Sequence, residues 1–474
     1  MAETHSTATS FTTITEAAAA LRSGEVSAAA LIEQALSAAD AHDGTFGIFL
    51  ARFEDRAREQ AAAVDRKITA GEPLAPLDGI PLGVKDLYAH SAGPTTAQSL
   101  VLDPGWGKSV GDAAVVRRLE QAGGIVTGKT TTMEYGIGVP DPDKPFPIPR
   151  NPWDVRRWAG GSSSGSASGL LAGAFLGAVG TDTSGSLRIP AAYSGITGFK
   201  PTFGRVSKAG VVPLAYTLDH AGPMARSAAD CALLLSVLAG YDAEDPYSST
   251  EPVADYPAAL TGDLSGRTVG VDNLDRFVGD GHDPQQPQRF SAAIDALREA
   301  GATIVPIEIP MYFEATAAAL VIMATESAAY HEPTLRSRYN DYATGSRVVF
   351  AASSSVRGAD YVLAQKVRHV AQRAMAEVFR TVDLVATPTG HLGAPMVDGI
   401  DQLNPVSILA GLHTPYWNVM ANPTVAVPIG LTADGVPLSL SLSGRHFDEA
   451  TVLRGADAFQ RVTDHHRLIP TELR

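Results

Sequence analysis

Cysteine is nearly missing: Cys231 is the one thiol in 474 residues. A single cysteine forms no internal disulfide, and it excludes structural zinc of the cysteine-rich kind. Its surroundings, ADCALLLSVLAG, read as a buried helix, so the thiol is expected to be an inert core group. Basic charge is also in short supply. Asp and Glu outnumber Lys and Arg by 51 to 37, a net charge of -14. No block of Lys and Arg rises above that background, so neither nucleic acid nor an anionic membrane is expected as a partner. Long apolar runs are lacking too. The longest, Gly169 to Gly180, is short and rich in Gly and Ala, well under membrane-spanning length. The N-terminus has no basic start followed by an apolar core and does not read as a secretory signal. The expected location is the cytoplasm.

What remains, 45% hydrophobic and 19% charged, is the composition of a folded chain and too apolar for disorder. Length alone suggests roughly three domains, yet no linker divides the sequence. Residues 1–10 read as a disordered tail and 11–474 as one domain. Thr13 with Glu16 forms a capping box for a helix over Ile14–Leu21. Ser27 caps a second over Ala28–Ala41. Phe53–Ala70 is charged and amphipathic, hence helical. GIPLGVKDLYA is a short apolar run broken by Gly and Pro, and reads as a buried strand carrying one lysine. There follow a helix over Asp112–Ala122, a strand over Ile125–Gly128, a proline-dense loop over 140–152, a helix over Ser166–Leu176 and a strand over Gly177–Gly180. Further helices are expected at Ala228–Leu238, Arg289–Ala300, Ala315–Tyr330, Tyr361–Phe379 and Glu449–Arg461. Thr303–Ile309, Leu384–Ala386 and Thr424–Pro428 read as strands, with a hairpin signal at Ala433-Asp434-Gly435. Strands alternate with helices, which makes the class α/β around a covered sheet.

Chemistry concentrates in AGGSSSGSASG (Ala159 to Gly169) and GTDTSGSLRIP (Gly180 to Pro190). Both are clusters of hydroxyls among glycines. Glycine lets backbone N–H groups approach a reacting carbonyl, and successive N–H groups in a turn form a concave anion site. A serine nucleophile needs a base. No histidine lies in either segment. A buried lysine can serve, because low dielectric disfavours the ammonium. Bringing its pKa near 7 corresponds to about 4 to 5 kcal/mol. Lys85, set among the apolar residues of GIPLGVKDL, suits that demand; a lysine snorkelling from a sheet end accounts for the local sequence equally well.

The stretch GGSSSGSASGLLAGAFLGAVGTDTSGSLRIPAAYSGITGFKPTFGRVS resembles the signature block of the amidase signature family, and PLGVKDL resembles the motif around that family's lysine. The likeness continues through GGIVTGKTTTMEY, RNPWD, LDHAGPMARSAAD, VDLVATPT and NPTVAVPIG. The resemblance implies a large mixed central sheet covered on both faces by helices, in a single catalytic domain with its signature core at about 80–230. It implies Ser186 as nucleophile, Ser162 as a bridging serine held by a cis peptide bond, and Lys85 as base. It further implies backbone N–H donors at Thr183, Ser184, Gly185 and Ser186 for the oxyanion, with Asp182 and Arg188 supporting the loop. Glu134, Tyr135, Gly136 and Ile137 are expected at the substrate entrance by the same analogy, and Tyr193, Trp417 and Met420 as pocket walls. The implied reaction is hydrolysis of a carboxylic amide through an acyl-enzyme, with aryl amides, carbamates and esters open to the same route. No metal and no organic cofactor is implied. The expected partner is a small-molecule amide substrate, and a homodimer is allowed. Two positions depart from the family's pattern: Ser164 and Ser184 stand where it has glycine.

Other readings compete. GGIVTGKT (Gly123 to Thr130) fits the phosphate-loop pattern of an NTP-binding protein. That pattern requires a strand before it and a helix after it, whereas here a helix precedes and Ile125-Val126 read as strand. GSSSG (Gly161 to Gly165) fits a nucleophile elbow centred on Ser163, without the apolar strand that should lead into it. The third alternative is the catalytic subunit of a glutamine-dependent aminoacyl-tRNA amidotransferase, which shares the fold. Such subunits carry an acidic glutamine-contacting residue shortly before a T-x-P-x-N segment, and this chain has Gly411 in that place. A non-catalytic scaffold is disfavoured because all three relay residues are present.

Overall fold

In the computed structural model, residues 12–278 and 281–473 are described; the tail expected over residues 1–10 lies outside them. The two predicted caps open the chain. Thr13 accepts a hydrogen bond from the Glu16 N–H and begins the helix Ile14–Ser23. Ser27 accepts from the Ala30 N–H and begins Ala28–Phe46.

Strands follow at β1 (Phe49–Arg52), β2 (Pro81–Lys85), β3 (Ile125–Thr130), β4 (Arg150–Asn151), β5 (Asp154–Trp158), β6 (Gly177–Asp182) and β7 (Thr197–Lys200). The series continues with β8 (His220–Ala225), β9 (Thr268–Val271), β10 (Thr303–Pro306), β11 (Leu384–Pro388), β12 (Thr424–Leu431) and β13 (Pro437–Gly444). Eleven of them form one sheet in the order β1-β3-β2-β6-β8-β7-β12-β13-β11-β9-β10, while β4 and β5 pair separately. The sheet is mixed. β3, β2 and β6 run parallel, β8, β7, β12, β13 and β11 are joined antiparallel, and β11, β9 and β10 are parallel again.

Side-chain alternation shows why both faces are covered. Leu82 and Val84 of β2 enter the largest core cluster, with Ile14, Leu31 and Leu119. Gly83 points the other way, where a Cβ would lie 2.7 Å from the Phe175 ring. Phe175 belongs to a second cluster built on the helix Ser164–Ala172. Glycine at position 83 thus lets an aromatic ring sit directly on the strand. Lys85, two residues on, ends the strand fully buried.

Several elements differ from expectation. The helix predicted at Ser166–Leu176 runs Ser164–Ala172, because Gly173 takes a left-handed conformation (φ 74°) and stops it. The helix predicted at Ala315–Tyr330 spans Tyr312–Arg338 and carries Pro333 inside it. Three short helices, Arg188–Ser194, Thr344–Ser353 and Thr414–Met420, were not anticipated, nor were β1, β7 and β8. Cys231 is buried and free, and burial raises its thiol well above the ordinary value.

The phosphate-loop reading fails on structure. Gly123 and Gly124 lead directly into β3, all of whose residues are buried. Lys129 is fully buried with its Nζ 2.8 Å from Asp86 Oδ1. Removing one partner of a buried pair strands the other's charge. Lys129→Met is expected to lower the unfolding free energy by about 3 to 5 kcal/mol in urea denaturation. ATP is expected to shift the melting temperature of neither protein.

Candidate active site

Three segments meet at the end of β2. Lys85 is wholly buried, and its Nζ donates to Ser162 Oγ at 2.7 Å and Thr181 Oγ1 at 2.7 Å. Burial is the dominant influence on this amine and lowers its pKa to about 7, against the opposing pull of the Asp182 and Asp219 carboxylates. The amine is therefore largely uncharged just above neutral pH. The Gly161–Ser162 peptide is cis. Ser163, centre of the rival elbow pattern, is fully buried and donates to the Thr181 carbonyl at 3.3 Å. Ser164 is the first residue of the helix Ser164–Ala172, a place that asks nothing of glycine.

The loop after β6 is organised by Asp182. Its carboxylate accepts from the N–H groups of Gly185 (2.8 Å) and Leu187 (3.2 Å), and from Asn418 Nδ2 (2.7 Å). Arg188 grips it with two nitrogens, each at 2.9 Å, and also donates to the Thr414 carbonyl and Asn418 Oδ1. Both charged residues are fully buried, so this is no surface salt bridge. Burial alone would raise the Asp182 pKa; the Arg188 guanidinium outweighs it and holds the carboxyl well below the usual range.

Backbone conformation decides where glycine is needed. Gly185 has φ 131°, and a Cβ there would lie 2.2 Å from Thr414 Oγ1. Ser184 has no positive φ, so the side chain in place of the family's glycine meets no backbone obstacle. The Gly185 N–H is committed to Asp182. Those of Thr183, Ser184 and Ser186 donate to no acceptor among the described residues. Between Ala174 and Lys200, Ser186 is the one residue that is not buried.

Ser186 and Ser162 share a cavity with Thr183, Ser184, Gly136 and Ile137. The other expected wall residues lie elsewhere. Glu134 accepts from Ser99 Oγ and the Ala343 N–H, and Tyr135 packs edge-on to His331. Tyr193 faces a neighbouring cavity that also contains Gly411. Trp417 and Met420 are core, packed with Tyr416. The walls actually present include Met133, Trp158, Leu214, Met323, Val349 and Ile408. These come from segments far apart in the chain, and each reads locally as ordinary core, so no sequence signal marks them. Among the described residues no ionisable side chain lines this cavity.

A family model described as Amidase matches residues 30–453. The chain belongs to the amidase signature family. As such it is an enzyme acting on carbon–nitrogen bonds. It is similar to a glutamyl-tRNA(Gln) amidotransferase subunit from Chloroflexus aggregans, 37% identical over 97% of this chain and 98% of that one. Among solved structures, a chain from a vestigial protein complex bearing on the origins of an s-triazine catabolic enzyme is 31% identical. It covers 95% of this chain and 98% of its own, with a TM-score of 0.87. A bacterial aryl acylamidase is 25% identical, with 96% and 97% covered and a TM-score of 0.86.

The first of these relatives corrects the expected partners. A small amide substrate without nucleic acid does not accord with a relative of matching length whose name ties it to glutamyl-tRNA(Gln). Net charge averages over the whole surface and says nothing of a local contact, which is why the acidic balance misled. Among the described residues no helix is long and apolar enough to cross a membrane.

Asp182→Asn keeps the shape of the loop anchor but leaves Arg188 uncompensated. The expected result is a loss of about 3 to 5 kcal/mol in unfolding free energy, read by urea denaturation.

Proposed function

We propose that this chain cleaves a carboxamide C–N bond through an acyl-enzyme on Ser186. Neutral Lys85 takes a proton from Ser162 as Ser162 takes one from Ser186. Ser186 Oγ attacks the carbonyl carbon, and the free N–H groups of Thr183, Ser184 and Ser186 stabilise the oxyanion. Ser162 protonates the leaving nitrogen and recovers a proton from Lys85, which is neutral again; the amine departs, and an ester remains on Ser186. Water then repeats the relay and releases a carboxylic acid. The observation that carries this reading is the 2.7 Å contact between a buried, readily deprotonated lysine and Ser162. That contact supplies a base where neither hydroxyl-rich segment offers a histidine.

Two readings of the amide share this step. The Chloroflexus aggregans relative, alike in length and identity, supports membership of an amidotransferase in which the released nitrogen serves glutamyl-tRNA(Gln). The lining of the cavity, without an ionisable side chain among the described residues, supports hydrolysis of amides with an uncharged acyl group. A charged acyl group would lose its hydration there with no compensating partner. Ammonia or amine release from glutamine, fatty amides, aryl amides and carbamates separates them. Turnover of glutamine alone favours the first reading, and turnover of uncharged amides with glutamine refused favours the second.

Both readings require Ser186. Ser186→Ala is expected to lower kcat/KM on any accepted amide by at least about 10,000-fold; full turnover by that variant would end the proposal. The pH dependence follows from the lysine. Its pKa in the folded protein is depressed to about 7, and the working form is the neutral amine. Activity therefore rises as pH rises through about 7 and is level above it. Below, kcat/KM is expected to fall about tenfold per pH unit. A profile flat from pH 5 to 8 would rule out Lys85 as the base.

A further inference from the structure

We infer that Ser184 and Met323 form a pinned wall that narrows the acyl end of the cavity, so that it admits a slim acyl group. This rests on the proposed nucleophile at Ser186. Ser184 Oγ donates to Met323 Sδ at 3.2 Å, across 139 residues of sequence. Both residues line the cavity beside Ser186, at 8% and 5% exposure.

Each partner needs the other. A hydroxyl buried among apolar walls costs free energy unless it finds an acceptor. A thioether sulfur is a weak acceptor, yet it is the one this hydroxyl meets among the described residues. Methionine in turn is the most compliant of apolar side chains, with three rotatable bonds and a habit of repacking around whatever arrives. Held by Ser184, Met323 no longer yields. The helix Tyr312–Arg338 that carries it is thereby tied to the nucleophile loop through the wall of the site. Other walls come from Ile137 and Val349, whose branched side chains are stiff. A glycine at 184 would leave Met323 free to swing and the cavity free to widen.

The test uses sulfonyl fluorides, which label a serine nucleophile without needing turnover. Labelling rates at Ser186 with methanesulfonyl fluoride and phenylmethanesulfonyl fluoride, read by peptide mass spectrometry, give a width ratio for each protein. The proteins are the wild type, Ser184→Ala, Met323→Leu, Met323→Ala and the Ser184→Ala/Met323→Leu double variant, each checked for folding by thermal melting. Met323→Ala is expected to raise the phenylmethane-to-methane ratio by about tenfold or more, since each methylene of a pocket wall is worth roughly 10- to 200-fold. Ser184→Ala and Met323→Leu are expected to raise it less. The double variant should match the larger single effect, because both changes break the same bond. Met323→Leu conserves volume and is the variant most certain to fold. Ratios unchanged from wild type, or single effects that simply add, would overturn the pinned wall and leave Ser186 as nucleophile untouched. Failure of every reagent to label Ser186 would instead overturn the nucleophile, and the wall with it.

Discussion

One buried ion pair fixes the geometry of this site. Asp182 and Arg188 lie within the same turn, yet between them they reach three regions of the chain. Asp182 ends β6 and gathers the Gly185 and Leu187 N–H groups. Arg188 begins the helix Arg188–Ser194 and holds the Thr414 carbonyl and Asn418 at the far end of the sequence. A buried pair is seldom a gain in stability over apolar packing of the same volume. Its value here is directional. Five hydrogen bonds converge on one carboxylate, and they leave the loop a single shape, in which Thr183, Ser184 and Ser186 line the cavity.

The same burial has the opposite effect on the neighbouring lysine. Lys85 has hydroxyl partners and no carboxylate in contact, so the more distant Asp182 and Asp219 only partly offset the loss of hydration and its ammonium is disfavoured. Lys129, on the adjacent strand, is as deeply placed but sits against Asp86. Two lysines of equal burial thus divide by partner. Burial lowers the pKa of both amines, but only Lys129 has a carboxylate in contact to oppose it. The distinction bears on the competing functions directly, since the phosphate-loop reading would have needed Lys129 free.

How far the residues disclosed this in advance can be argued case by case. The helix caps at Thr13 and Ser27, the strand around Lys85 and the hydroxyl-rich turns were all legible, because each is governed by neighbours within a few positions. The short helices Arg188–Ser194 and Thr414–Met420 were not. The first contains Pro190 and the second Pro415 near its start, and their stability comes from contacts across the fold rather than from local periodicity. The cavity walls were least legible of all. Trp417 and Tyr193 drew attention as large aromatics in a suggestive stretch, yet one is core and the other faces a different cavity. Leu214, Met323 and Val349 carry no mark of their role, since an apolar residue facing a pocket and one facing the core obey the same pattern.

Ser164 and Ser184 show how differently one kind of departure can act. Both put a hydroxymethyl where the family's pattern has hydrogen. At 164 the backbone is helical, and the hydroxyl is buried without a partner among the described residues. At 184 the hydroxyl enters the cavity and meets Met323. The positive φ that would have made a side chain costly belongs to Gly185, one residue on, where Thr414 also bars a Cβ. The loop therefore separates two demands. Position 185 must stay glycine for the backbone to turn, while position 184 is free to carry chemistry. Ser184 thus belongs both to the loop that carries Ser186 and to the wall of the cavity.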